Sequence, residues 1–245
     1  IGVHVGIALA ALSFVCVWVI RDPTIAGKLL ALAATQSLQR YEFGVIPLFV
    51  LMGLLVSVSD IGKDTYDVAN HAFRRVKAGL GMATVGANAV FAAVTGTSIA
   101  SASVFTKVAV PEMLRLGYKP RFAVGVVAGS SVLGMLIPPS LLLILFAILT
   151  DTSVGDLFIG GIGPGLLLTF AYIGYLSFLG YFRPDLFTLP SDMPSGDEVP
   201  THAIFPVVGL AGLVLSGIYM GFFTPTEAGA VGAAAALIIG FAMRR

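Results

Sequence analysis

From Phe122 to Thr150 the chain runs 29 residues without a charged side chain, and two consecutive prolines, Pro138 and Pro139, stand near its middle. A helix needs about 20 apolar residues to cross ~30 Å of hydrocarbon. The run is long enough to cross, but not as one regular helix. Pro139 denies helical φ/ψ to Pro138, and each proline removes a backbone donor. The break frees carbonyls of residues such as Gly134, Leu136 and Ile137. A simple kink and a pair of half-helices that jointly cross both fit the pattern. In the second case Pro139-Ser140 opens the second half in its first helical turn. No carboxylate lies near the break, which suits a monovalent ion on neutral oxygens better than Ca²⁺ or a transition metal.

The rest of the chain agrees with that solvent. Hydrophobic residues make up 57% and charged ones 11%, with a mean hydropathy of +0.97. Soluble domains carry roughly 25% charged residues. This chain cannot cover a globular surface with polar side chains, so it is expected to be an all-α integral membrane protein in a lipid bilayer. Lys+Arg is 14 against Asp+Glu 13, leaving no basic excess for nucleic acid. The single cysteine, Cys16, excludes an intrachain disulfide. The chain opens on apolar Ile1 and closes on Arg244-Arg245, as expected of a piece of something longer.

Five further stretches have spanning character: 1–20, 43–59, 158–182, 203–223 and 224–243, the last with Glu227 near its start. Residues 23–41, flanked by Lys28 and Arg40, are expected to form an interfacial amphipathic helix. A signal peptide is a poor reading of 1–20, because no basic segment precedes it and Arg21-Asp22-Pro23 is no small-residue cleavage site.

Segment 79–116 is apolar to Val94, polar from Thr95 to Ser103, then turns apolar again, with Lys107 and Glu112 in it. Each arm is about 16–18 residues, roughly 25 Å as helix. Two short spans and one re-entrant hairpin are both open. The polar stretch offers five hydroxyls in nine residues. These small residues allow close helix packing, or a cation or anion site at a helix break. The loop expected at 60–78 carries Lys63, Arg74, Arg75 and Lys77, and the one after carries Arg115, Lys119 and Arg121. Basic loops are cytoplasmic, so both flanks lie inside, with Arg183 and Arg244-Arg245. Arg21, Lys28 and Arg40 fall outside, beside the uncompensated Asp151 and Asp156 of loop 151–157.

Residues 1–19 resemble 223–242, each opening on a short polar or kinked motif before small residues and Leu. Five crossings separate the copies, so they would face opposite ways, the inverted-repeat plan of many secondary transporters. Among other polar groups, Lys107 either snorkels or meets an anionic substrate. Asn88 suits a helix–helix hydrogen bond, and Glu227 a helix start favoured by the dipole. His4, His71 and His202 sit at segment ends without ligand spacing. No Gly-x-Ser-x-Gly elbow and no Gly-x-x-x-x-Gly-Lys-Ser/Thr loop occurs, so neither a hydrolase nor ATP-driven transport is expected, and the chain is read as no enzyme.

Ile46-Pro47-Leu48-Phe49, Phe91 to Ser103, Pro111-Glu112-Met113 with Gly117-Tyr118, Gly134 to Ser140, Ser153 to Phe158 with Gly163-Pro164-Gly165, and Phe223 to Ala228 are the residues that carry a family resemblance. Along essentially its whole length the chain resembles the large membrane subunit of tripartite ATP-independent periplasmic (TRAP) transporters, the DctM-like permeases. His4 stands where that family often has proline. The resemblance implies an inverted-repeat, elevator-type secondary transporter with a re-entrant helical hairpin and a broken helix. It implies Na⁺-coupled uptake of organic acids, C4-dicarboxylates foremost, into the cell across the bacterial inner membrane. A periplasmic substrate-binding protein would deliver the acid, and a small membrane subunit would brace the scaffold. A Na⁺ site would use Ser98 at the tip with carbonyls of Gly134, Leu136 and Pro139 at the break; Thr97 and Ser101 would touch substrate. The expected division is 1–78 scaffold helices with the interfacial arm, 79–118 hairpin, 119–157 broken helix, 158–223 connecting helices and 224–245 the start of a second repeat. The second hairpin would be absent, so this piece alone should not transport. The alternative from another class is a non-transporting membrane scaffold that assembles partners.

Overall fold

The computed structural model describes residues 4–39, 44–73, 76, 78–183 and 205–242. Among them every regular element is a helix. Arg40, Arg74, Arg75, Lys77 and Arg244-Arg245, used above for topology, and His202 lie outside the described residues. The chain divides into two compact units, Ile1–Gly44 and Val45–Arg245.

The first unit holds α1 (Val5–Ile20) and α2 (Pro23–Gln39), packed on each other. Asp22 opens α2: its Oδ1 accepts the Thr24 N–H at 2.7 Å, and Pro23 fills the first helical position, where no donor is needed. None of the α1 residues is buried. A helix apolar all round has only lipid or other protein to face.

The second unit begins with α3 (Val45–Val58) and α4 (Ile61–Phe73), bent by 64° at Ser59-Asp60. The loop expected at 60–78 is therefore mostly helix. Its charges, Lys63, Asp64 and Asp67, hid a helical period: Ile61, Gly62, Thr65 and Tyr66 are buried on one face. Next come α5 (Gly79–Thr95) and α6 (Ser98–Arg115), joined by Gly96-Thr97 alone. The break within the nine-residue polar stretch is thus two residues long, since Ser98 to Ser103 continue as helix. At the far end, Tyr118 reaches back to the N–H groups of Leu80 and Gly81 that open α5, and burial pushes its phenol up to about 12. A turn at one end and this contact at the other define a helical hairpin.

The broken helix follows as α7 (Pro120–Ser131), α8 (Leu133–Leu136) and α9 (Leu141–Thr150), with a 41° bend across the break. Then α10 (Val154–Phe182) runs 29 residues, about 44 Å at helical rise. The unit closes with α11 (Phe205–Tyr219) and α12 (Pro225–Ala242). α10 and α12 are each long and apolar enough to cross a membrane alone, while α1, α3 and α11 have 16, 14 and 15 residues, shorter than the expected spans. Glu227 does sit at a helix start: its Oε2 accepts from Thr224 N–H at 2.8 Å and Thr224 Oγ1 at 2.9 Å, while Thr224 Oγ1 accepts the Glu227 N–H at 3.3 Å. This is a reciprocal capping box.

Two sets of contacts hold the hairpin. Phe105 of α6 meets Phe91 of α5 edge-on at 5.5 Å and Tyr66 of α4 at 6.5 Å. Met82, Val85 and Ala92 of α5 pack with Val126, Leu133 and Leu176, so one arm faces both the broken helix and α10.

Candidate functional site

The site forms where two interruptions meet. α5 ends because Gly96 takes φ +62°, a conformation that L side chains resist. Thr97 then turns extended, and its hydroxyl accepts the Ala100 N–H at 3.4 Å as the N-cap of α6. Facing this turn, the helix through α8 stops at Ile137 (φ −74°, ψ 123°), the conformation that a following proline demands. The Pro138-Pro139 peptide is cis. Ser140 is the N-cap of α9, so Pro139 precedes the second half and does not sit in its first turn, as the sequence had suggested.

The prolines set the carbonyl accounts. In a helix the N–H of residue i+4 serves the carbonyl of residue i, so Pro138 and Pro139 can serve neither Gly134 nor Met135. Ser140 Oγ supplies the missing donor to Met135 O at 2.6 Å. A direct bond ties the two breaks together: Leu141 N–H donates to Gly96 O at 2.9 Å.

Backbones approach closely because glycines line the junction. A Cβ on Gly96 would lie 2.5 Å from Pro139 O. One on Gly134 would lie 2.8 Å from both Thr97 C and Thr97 O, and 3.1 Å from Ser98 N. Gly96 thus packs against the Pro139 carbonyl, and Gly134 against the Thr97 carbonyl and the Ser98 backbone. The Leu136 carbonyl lies beside α10, 2.8 Å from where a Cβ of Gly161 would be. Thr97 spends its hydroxyl on the cap. Ser101 is fully buried, and its Oγ has no hydrogen-bond partner. Lys107 is exposed on α6.

The junction is also electrostatically two-sided. The carbonyl ends of α5 and α8 and the N–H ends of α6 and α9 converge on it. Helix C-termini favour cations and N-termini anions. Among the described residues, no group of three His, Cys, Asp or Glu could hold a metal ion, so a cation here would rest on neutral oxygens.

Reading the residues alone missed the second wall. Gly161 and Gly165 bring α10 against Leu136 and Ile137. Their four-residue spacing was a signal for close helix packing. Asn88 makes the expected interhelical bond, donating from Nδ2 to Ser130 Oγ at 2.6 Å with both residues buried. A double-mutant cycle of Asn88→Leu and Ser130→Ala, read by thermal unfolding, is expected to return a coupling of about 0.6–1.7 kcal/mol.

The family model for the DctM component of tripartite ATP-independent periplasmic transporters matches residues 1–245. The chain belongs to the DctM family. This DctM-family chain is 37% identical over 208 residues to the C4-dicarboxylate TRAP transporter large permease protein DctM of Pseudomonas aeruginosa, covering 83% of the chain and 48% of that protein. It is 30% identical over 254 residues to the isethionate TRAP transporter permease protein DctMQ of Oleidesulfovibrio alaskensis, covering 99% and 38%. It is also 30% identical over 195 residues to the ectoine/5-hydroxyectoine TRAP transporter large permease protein UehC of Ruegeria pomeroyi, covering 79% and 45%. The DctM-family chain thus spans about half the length, or less, of these curated relatives. Family and apolar helices together make it a multi-pass membrane protein.

Proposed function

We propose that the full-length protein is the large permease of a Na⁺-coupled secondary transporter in the bacterial inner membrane. It imports organic acids that a periplasmic binding protein delivers, and a small membrane subunit braces it. The relatives' names span C4-dicarboxylate, isethionate and ectoine transport. The acid in this case is therefore proposed only as a small anionic or zwitterionic organic acid, with C4-dicarboxylates the first to test.

The observation that carries this reading is the junction itself, where Leu141 N–H meets Gly96 O and the backbone of Gly134 lies against Thr97. Broken backbone at membrane depth survives only inside protein or against a lined cavity. Discontinuous helices present such backbone to ions and anionic substrates. In this reading the ion rests on the Ser98 hydroxyl and the carbonyls of Thr97, Gly134 and Pro139. The substrate carboxylate lies toward the N–H ends of α6 and α9, near Thr97 and Ser101. Leu136, turned toward α10, stays outside the ion's first contacts unless its peptide reorients.

Uptake by the full-length permease, reconstituted in proteoliposomes with its small subunit and its binding protein, tests the coupling. A Na⁺ gradient is expected to drive accumulation, and replacing Na⁺ by K⁺ is expected to reduce it to the level of empty vesicles. Equal uptake in K⁺ would remove the coupling.

A further inference from the structure

A cavity of about 420 Å³ opens between α7, α10 and α5, away from the junction. Its walls include Phe122, Val126, Tyr172, Leu176 and Leu179, with Arg183 at one end. The cavity has a direction. On α10 it runs from Tyr172 to Arg183, about 16 Å at helical rise, roughly half of a ~30 Å hydrocarbon core. Its depth is that of one leaflet. Phe122 and Arg183 line it together, so the start of α7 and the end of α10 lie at the same side of the molecule. Charge gathers at that end: Arg183 directly follows α10, while exposed Lys119 and Arg121 flank the first turn of α7. Tyr175, which lines the cavity, is 60% exposed, as a side chain facing acyl chains would be.

We infer that this cleft binds a membrane phospholipid, with one acyl chain between α7 and α10 and an anionic headgroup at Arg183. Charge complementarity selects the occupant. An apolar slot one leaflet deep that ends in basic side chains matches a lipid with a negative headgroup, and basic pockets between membrane helices on the cytoplasmic side bind such groups. The junction of hairpin and broken helix is separate from this site, so the inference stands whether or not Na⁺ coupling holds.

Gly125 gives a clean test. It lines the cleft, and a Cβ there would meet no heavy atom within 4 Å. The full-length permease, purified in mild detergent, is titrated with dioleoyl phosphatidylglycerol and with dioleoyl phosphatidylcholine. Phosphatidylglycerol is expected to raise the melting temperature by about 4 °C, roughly twice the shift from phosphatidylcholine. Gly125→Leu fills the slot and is expected to lose most of both shifts while keeping its lipid-free melting temperature. Arg183→Gln is expected to keep the phosphatidylcholine shift and lose the excess given by phosphatidylglycerol. Native mass spectrometry of the unaltered protein, which needs no variant to fold, is expected to show retained phospholipid. A full phosphatidylglycerol shift in Gly125→Leu, or an undiminished excess in Arg183→Gln, would overturn the site. So would an unaltered protein that carries no phospholipid, the result expected if the protein's own chain fills the slot.

Discussion

Gly134→Val is expected to reduce uptake to background while the full-length permease still inserts and unfolds cooperatively. Even a Cβ at this position would lie 2.8 Å from the carbonyl carbon and oxygen of Thr97. Backbone cannot swing aside as a side-chain tip can, so the hairpin turn and the break must separate. Overpacking of this kind costs about 1–3 kcal/mol, well short of unfolding a protein of this size. Oxygen ligands for a small cation must stay within a few tenths of an ångström of their places, so a modest separation has a large effect on transport. Uptake in proteoliposomes and a melting curve on the same preparation check this. Near-normal uptake would show that the turn and the break work independently.

Gly96→Ala is expected to strike stability harder. Gly96 combines φ +62° with a would-be Cβ 2.5 Å from Pro139 O. The left-handed conformation alone costs a non-glycine residue roughly 1–2 kcal/mol. Displacing Pro139 also strains the Leu141 N–H to Gly96 O bond, worth about 1 kcal/mol. A fall in melting temperature of about 5 °C or more is expected, since 1 kcal/mol moves a domain of this size by roughly 2–4 °C. A change under 1 °C would mean that the turn relaxes freely and that the close approach carries little energy.

How far the sequence foretold this arrangement depended on what kind of signal each part left. Proline and glycine act through local backbone chemistry, so the break after Leu136 and the turn at Gly96-Thr97 were visible in the one-dimensional pattern. Their extent was harder. The five hydroxyl residues from Thr95 to Ser103 marked a helix break without its limits, and once Thr97 caps α6 the serines that follow sit in a helix. Residues 60–78 were misread because hydropathy averages over a turn, and Lys63, Asp64 and Asp67 outweighed the buried stripe of Ile61, Thr65 and Tyr66. The meeting of turn and break is a tertiary fact. The sequence brought the two together only through the family resemblance, and the hydrogen bond from Leu141 to Gly96 joins them in the structure. The direction of the Leu136 carbonyl was not legible, because it depends on which neighbour occupies the other flank.

That other flank has a mechanical consequence. Gly161 and Gly165 bring α10 against Leu136 and Ile137, while Gly96 lies against Pro139 and Thr97 against Gly134. The kinked backbone from Gly134 to Pro139 is thus in close contact with both the hairpin turn and α10. A movement that relocated the hairpin turn while keeping these contacts would carry residues 161–165 as ballast, with its joints outside this packed block.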